Sequence, residues 1–77
     1  MALTLVEHKV LEFLRTSYSP DSVWPFRSIQ EGTGLNRREV MGACRSLARA
    51  GLAMWGRGHC EVGSGSGSGY RAIMGQP

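Results

Sequence analysis

Gly34-Leu35-Asn36-Arg37-Arg38-Glu39-Val40-Met41-Gly42-Ala43-Cys44-Arg45-Ser46-Leu47-Ala48-Arg49-Ala50-Gly51-Leu52 is the stretch on which the fold turns. It reads as a turn followed by a helix with its own start and stop signals. Asn36 is placed to cap the helix by accepting the amide of Glu39, and the Glu39 carboxylate can reach back, in the manner of a capping box. Val40, Cys44, Leu47 and Ala48 recur on one face. Gly51 can close the helix in a left-handed conformation. The opposite face carries arginines and almost nothing to neutralise them. Half of such a helix belongs to a core, and the other half suits a polyanion.

Upstream, Thr4-Leu5-Val6-Glu7 carries the same type of helix start, and Val6, Val10, Leu11, Phe13 and Leu14 follow at helical spacing. Ser19-Pro20-Asp21-Ser22 is turn chemistry and ends that helix. Val23-Trp24 is a short apolar run suited to an edge strand. Pro25 fits the first turn of a second helix, where its missing N–H would be unpaired anyway. Phe26 and Ile29 form a narrow apolar stripe on that helix, and Gly32 and Gly34 keep it short. Downstream, Leu52-Ala53-Met54-Trp55-Gly56-Arg57 and Tyr70-Arg71-Ala72-Ile73-Met74 read as two short strands of a hairpin. Gly63-Ser64-Gly65-Ser66-Gly67-Ser68-Gly69 between them is low in complexity, resembles an engineered linker and reads as a flexible loop, not a folded element.

A chain of 77 residues offers one domain, residues 1–77, with a modest core and no room for a separate catalytic unit. An apolar share of 42% favours folding over disorder. Charge is unevenly distributed: from Asn36 to Arg71 six cations face two anions, a net +4, whereas the residues before them net −1. Eight of the nine cations are arginine, whose planar fork suits phosphate and guanine. No stretch reaches the apolar length of a membrane span and no signal peptide opens the chain, so a cytoplasmic protein with two reduced thiols, Cys44 and Cys60, is expected.

Three helices and then a hairpin, with a tight turn between the second and third helix, resemble the winged helix-turn-helix domains of bacterial and phage regulators of the MarR and LexA type. The residues that carry the resemblance are Glu7, Val10, Leu11, Leu14, Ile29, Gly34-Leu35, Val40, Leu47 and Gly51-Leu52, within a span from about Leu3 to Met74. The resemblance implies an α+β fold, a three-helix bundle with a C-terminal two- or three-stranded β wing whose flexible tip is 63–69. It implies a small sequence-specific double-stranded DNA-binding protein, a transcriptional regulator associated with the nucleoid of a bacterial or phage-infected cell. The third helix, about 36–50, would lie in the major groove. Two departures stand out: Gly42 interrupts that helix at a cost of ~1 kcal/mol relative to Ala, and the wing tip is uncharged.

With Val40, Cys44 and Leu47 turned inward, Arg37, Arg38, Met41, Gly42 and Arg45 point outward as candidate DNA contacts, with Asn36 at the helix start. Gly42 would let the helix approach the groove floor. Arg27 and Ser28 would flank a phosphate at the start of the second helix, and Arg57 and Arg71 would clamp phosphate from the wing strands. Ser64, Ser66 and Ser68 offer hydroxyls and amides only. Trp24 reads as core. Trp24, Trp55 and Tyr70 read as too few and too scattered for a base-stacking platform. His59, Cys60 and Cys44 lack the paired spacing of a zinc site, and neither a metal nor a cofactor is expected. The Gly/Ser tract fits neither G-x-G-x-x-G nor a phosphate loop. No acid pair or nucleophile–base pair emerges, so an enzyme is not expected. Two other readings remain: a protein-interaction adaptor of the same fold anchored on Met41, Met54 and Trp55, and a DNA-packaging or architectural protein of a phage or mobile element. A monomer, or a homodimer through the first helix (Leu3, Leu5) or the wing edge, is equally compatible.

Overall fold

The computed structural model describes residues 3–18, 22–60 and 66–73. It shows three helices followed by one antiparallel hairpin: α1 (Leu5–Thr16), α2 (Phe26–Thr33), α3 (Arg37–Arg49), β1 (Ala53–His59) and β2 (Ser66–Ala72). The expected α+β layout therefore holds. Both capping boxes form. Thr4 Oγ1 accepts the Glu7 amide at 3.1 Å while the Thr4 amide donates to Glu7 Oε1 at 2.9 Å. Asn36 Oδ1 accepts the Glu39 amide at 2.8 Å, and the Asn36 amide donates to Glu39 Oε1 at 3.1 Å. Each box satisfies two backbone donors that would otherwise face water or nothing.

The turn between α2 and α3 is three residues long. Gly34 adopts the left-handed conformation at φ 76°, its amide bonding the Gln30 carbonyl at 2.8 Å. Thr33 Oγ1 accepts the Leu35 amide at 3.3 Å, and Asn36 then opens α3. α3 ends where Gly51 turns left-handed at φ 76°. Leu52 N–H donates to the Leu47 carbonyl at 2.9 Å and Gly51 N–H to the Ala48 carbonyl at 3.1 Å, a Schellman arrangement. Leu52, expected as the first strand residue, is thus held by the helix end, and β1 begins one residue later. Pro25 sits at the N-cap of α2 and not inside its first turn; its carbonyl accepts the Ile29 amide at 3.2 Å.

The hairpin reaches further into the Gly/Ser tract than its composition suggests. Residues 66–69 are strand, with Ser68 opposite Arg57 and Gly69 opposite Gly56. A Cβ at Gly69 would lie 2.5 Å from the carbonyl carbon and oxygen of Trp24, so the chain at 24–25 passes against β2 where there is no side chain. The expected edge strand at Val23-Trp24 reduces to one bridge, in which Trp24 and Tyr70 exchange hydrogen bonds of 2.8 and 2.9 Å. The expected turn at 19–21, the tip at 63–65 and Met74 lie outside the described residues.

One core joins these elements. Val10, Leu11 and Leu14 of α1 pack with Ile29 of α2, with Val40, Ala43, Cys44 and Leu47 of α3, and with Trp24 and Tyr70. Each large aliphatic side chain buried here contributes ~1.5–3 kcal/mol relative to exposure. Trp24 is core as expected, its ring edge-on to Phe13 at 5.6 Å. No helix among the described residues is long and apolar enough to cross a membrane.

Candidate nucleic-acid interface

Burial of Val40, Ala43, Cys44 and Leu47 fixes how α3 is rotated, and so fixes what it leaves outside. Cys44 has no access to solvent, and burial pushes its thiol up to about 12, so it behaves as a small apolar side chain. The other face of α3 is the candidate interface. Arg37, Arg38, Met41, Gly42 and Arg45, all singled out from the sequence, line one shallow open depression. Arg38 and Arg45 are exposed and make no ion pair or hydrogen bond with another described residue. Glu39, the acid of this helix, turns its carboxylate to the Asn36 amide and forms no ion pair with these arginines.

The helix also exposes Arg49, which the sequence reading did not select. Arg38, Gly42, Arg45 and Arg49 follow one another at helical spacing along a single face. Extending the Arg38–Arg45 repeat by one more turn would have found it. Arg37 lies to one side, its guanidinium 6.0 Å from the centre of the Phe26 ring, at the outer limit of a cation–π contact. Asn36 is exposed but commits its side-chain oxygen to the cap, so its main role is to set where the helix starts.

Two expectations are corrected. Ser28 is buried, with its hydroxyl unpartnered, because α2 presents it inward beside Ile29; it does not flank a surface phosphate. Arg27 stays exposed, as expected, and lies 3.7 Å from Glu31 one turn along, an exposed pair of the kind worth ~0–1 kcal/mol. Arg57 and Arg71 do not form a clamp. Arg57 shares a hairpin face with Trp55 and Ala53, whereas Arg71, opposite Met54, lies on the other face.

The aromatic residues are not scattered. Trp55 and Tyr70 face each other across the hairpin with ring centres 5.0 Å apart at 71°. Phe26 of α2 stands 6.1 Å from Trp55 and 5.9 Å from Tyr70. Sequence separation hid this cluster, which only the hairpin register and the position of α2 create. Among the described residues no group of three His, Cys, Asp or Glu gathers at metal-binding distance, and Cys44 and Cys60 are buried free thiols. No family model, curated protein or solved structure matches the chain.

Proposed function

We propose that the protein is a winged helix-turn-helix DNA-binding protein, a small transcriptional regulator that lays α3 in the major groove of double-stranded DNA. One observation carries this reading: Arg38 and Arg45 stand on the solvent face of a helix whose other face is locked in the core, without intramolecular partners among the described residues, on either side of Gly42. Guanidinium groups on such a ridge can chelate guanine O6 and N7 or neutralise phosphate. The bare backbone at Gly42, where a Cβ would meet nothing within 4 Å, lets the ridge sit deep. The three-residue turn ahead of α3 and the hairpin behind it support the same reading.

Selection of bound sequences from a random duplex pool, run at two salt concentrations, tests it. A regulator enriches a short motif at both. Arg38→Ala or Arg45→Ala then costs ~1–3 kcal/mol and relaxes the preference at one position. Binding without enrichment would instead indicate a packaging or architectural protein. Failure to bind duplex DNA at low salt would overturn the proposal and leave the adaptor reading.

A further inference from the structure

The wing carries a second feature that groove recognition by α3 does not use. Trp55 is 52% exposed, yet its ring is held from two sides, edge-on by Tyr70 and obliquely by Phe26. It is therefore a pre-oriented flat surface that loses little freedom on binding. Its flanks are cationic. Arg37, its guanidinium 6.0 Å from the Phe26 ring centre, also lines the α3 depression, so one cation stands between the aromatic cluster and that depression. Arg57, exposed, follows Trp55 on the same face of β1, and Gly56 and Gly58 on the other face add no side chains.

The chemistry of this surface selects its ligand. An indole offers one donor, no acceptor and a large apolar face. A duplex hides the faces of its bases inside the stack and shows the grooves only their edges. An unpaired base shows its face, and its phosphates remain within reach of cations beside it. Every base has such a face, so the contact is tolerant of sequence. We propose that Trp55, backed by Tyr70 and Phe26 and flanked by Arg37 and Arg57, stacks on an unpaired nucleobase at the edge of the duplex that α3 holds. The inference rests on the DNA-binding reading above and assigns a junction between paired and single-stranded DNA as the preferred ligand.

Three probes test it with the full chain: a blunt duplex, the same duplex with a short single-stranded tail, and that tail with abasic sites in place of its bases. The tailed duplex is expected to bind roughly five- to hundredfold tighter than the blunt or abasic-tailed one, the range of a single base–aromatic stack. Trp55→Leu should remove that gain and leave blunt-duplex affinity unchanged, while Trp55→Phe keeps most of it and shows that the hairpin still folds. Tryptophan fluorescence should be quenched by the tail and not by its abasic form, because the only other indole, Trp24, is buried. Equal affinity for the based and abasic tails would overturn the inference. So would an equal loss on blunt and tailed duplex in Trp55→Leu, or a self-association that Trp55→Leu abolishes, since a groove contact or a second copy would then occupy the ring. If blunt duplex binds in an Arg38-dependent manner without any gain from the tail, only this inference fails. If no probe binds, the DNA-binding reading fails with it.

Discussion

A methyl group added at Gly42 would meet nothing within 4 Å, whereas one added at Gly69 would press to 2.5 Å from the backbone of Trp24. The two glycines therefore serve different ends. At Gly42 the free protein gains nothing from the missing side chain and gives up ~1 kcal/mol of helix propensity relative to Ala. Gly42→Ala should raise stability by about that amount, seen as a higher midpoint in urea or thermal unfolding. On the proposed reading, in which Gly42 gives close approach to the groove floor, the same variant should bind duplex DNA ~1–3 kcal/mol more weakly, the usual cost of a methyl forced into a packed contact. A variant that is both more stable and fully competent to bind would remove this role. Gly69→Ala should do the reverse. It forces β2 away from residues 24–25 and strains the Trp24–Tyr70 bridge, so unfolding measurements should show a loss of ~1–3 kcal/mol.

At the scale of elements, the two longer helices are set by their first turns. In α1, the amide of Thr4 donates to the Glu7 carboxylate and holds its pKa below the usual 4.5. A depressed carboxylate pKa stabilises the fold fully above its unfolded value. That contribution disappears as pH falls through the lowered folded value. The start of α1 should accordingly loosen on acidification below about pH 4.5. Glu7→Gln should be less stable than the parent at neutral pH and lose less between neutral and acidic pH, measurable by unfolding monitored with circular dichroism. These helix boundaries were legible in the sequence because caps are local: Thr4 with Glu7, Asn36 with Glu39, and Gly51 with Leu52 all act within a few residues. The rotation of α3 was legible for the same reason, since Val40, Cys44 and Leu47 fix both faces, but the fourth member of the stripe is Ala43; Ala48, expected there, is exposed. Ser28 was not. Its place beside Ile29 depends on how a two-turn helix inserts between neighbours, which no local pattern encodes.

Across the whole molecule, what escaped the sequence is what long-range pairing creates. The composition of Gly63–Gly69 suggests a linker, but residues 66–69 pair with β1 as strand, and Trp24 and Pro25 pass against them at Gly69. Phe26, Trp55 and Tyr70 meet only because α2 and the hairpin converge, and the same register places Arg57 and Arg71 on opposite faces. That arrangement makes the salt dependence of binding a test of geometry as well as of charge. Each phosphate neutralised releases counterions and contributes roughly −0.9 to the slope of log affinity against log salt. On the proposed DNA-binding reading, Arg37, Arg38, Arg45, Arg49 and Arg57 are the cations the α3 ridge and the adjoining hairpin face would present, so a slope of roughly −3 to −5 on duplex DNA is expected. Arg49→Ala should flatten the slope by about 1 and weaken all sequences alike. Arg71→Ala, on the far face of the hairpin, and Arg27→Ala, on α2 beside Glu31, should leave it unchanged. A slope that responds to Arg71 or Arg27 but not to Arg49 would mean that DNA meets a different side of the protein, and α3 would then be only a supporting helix.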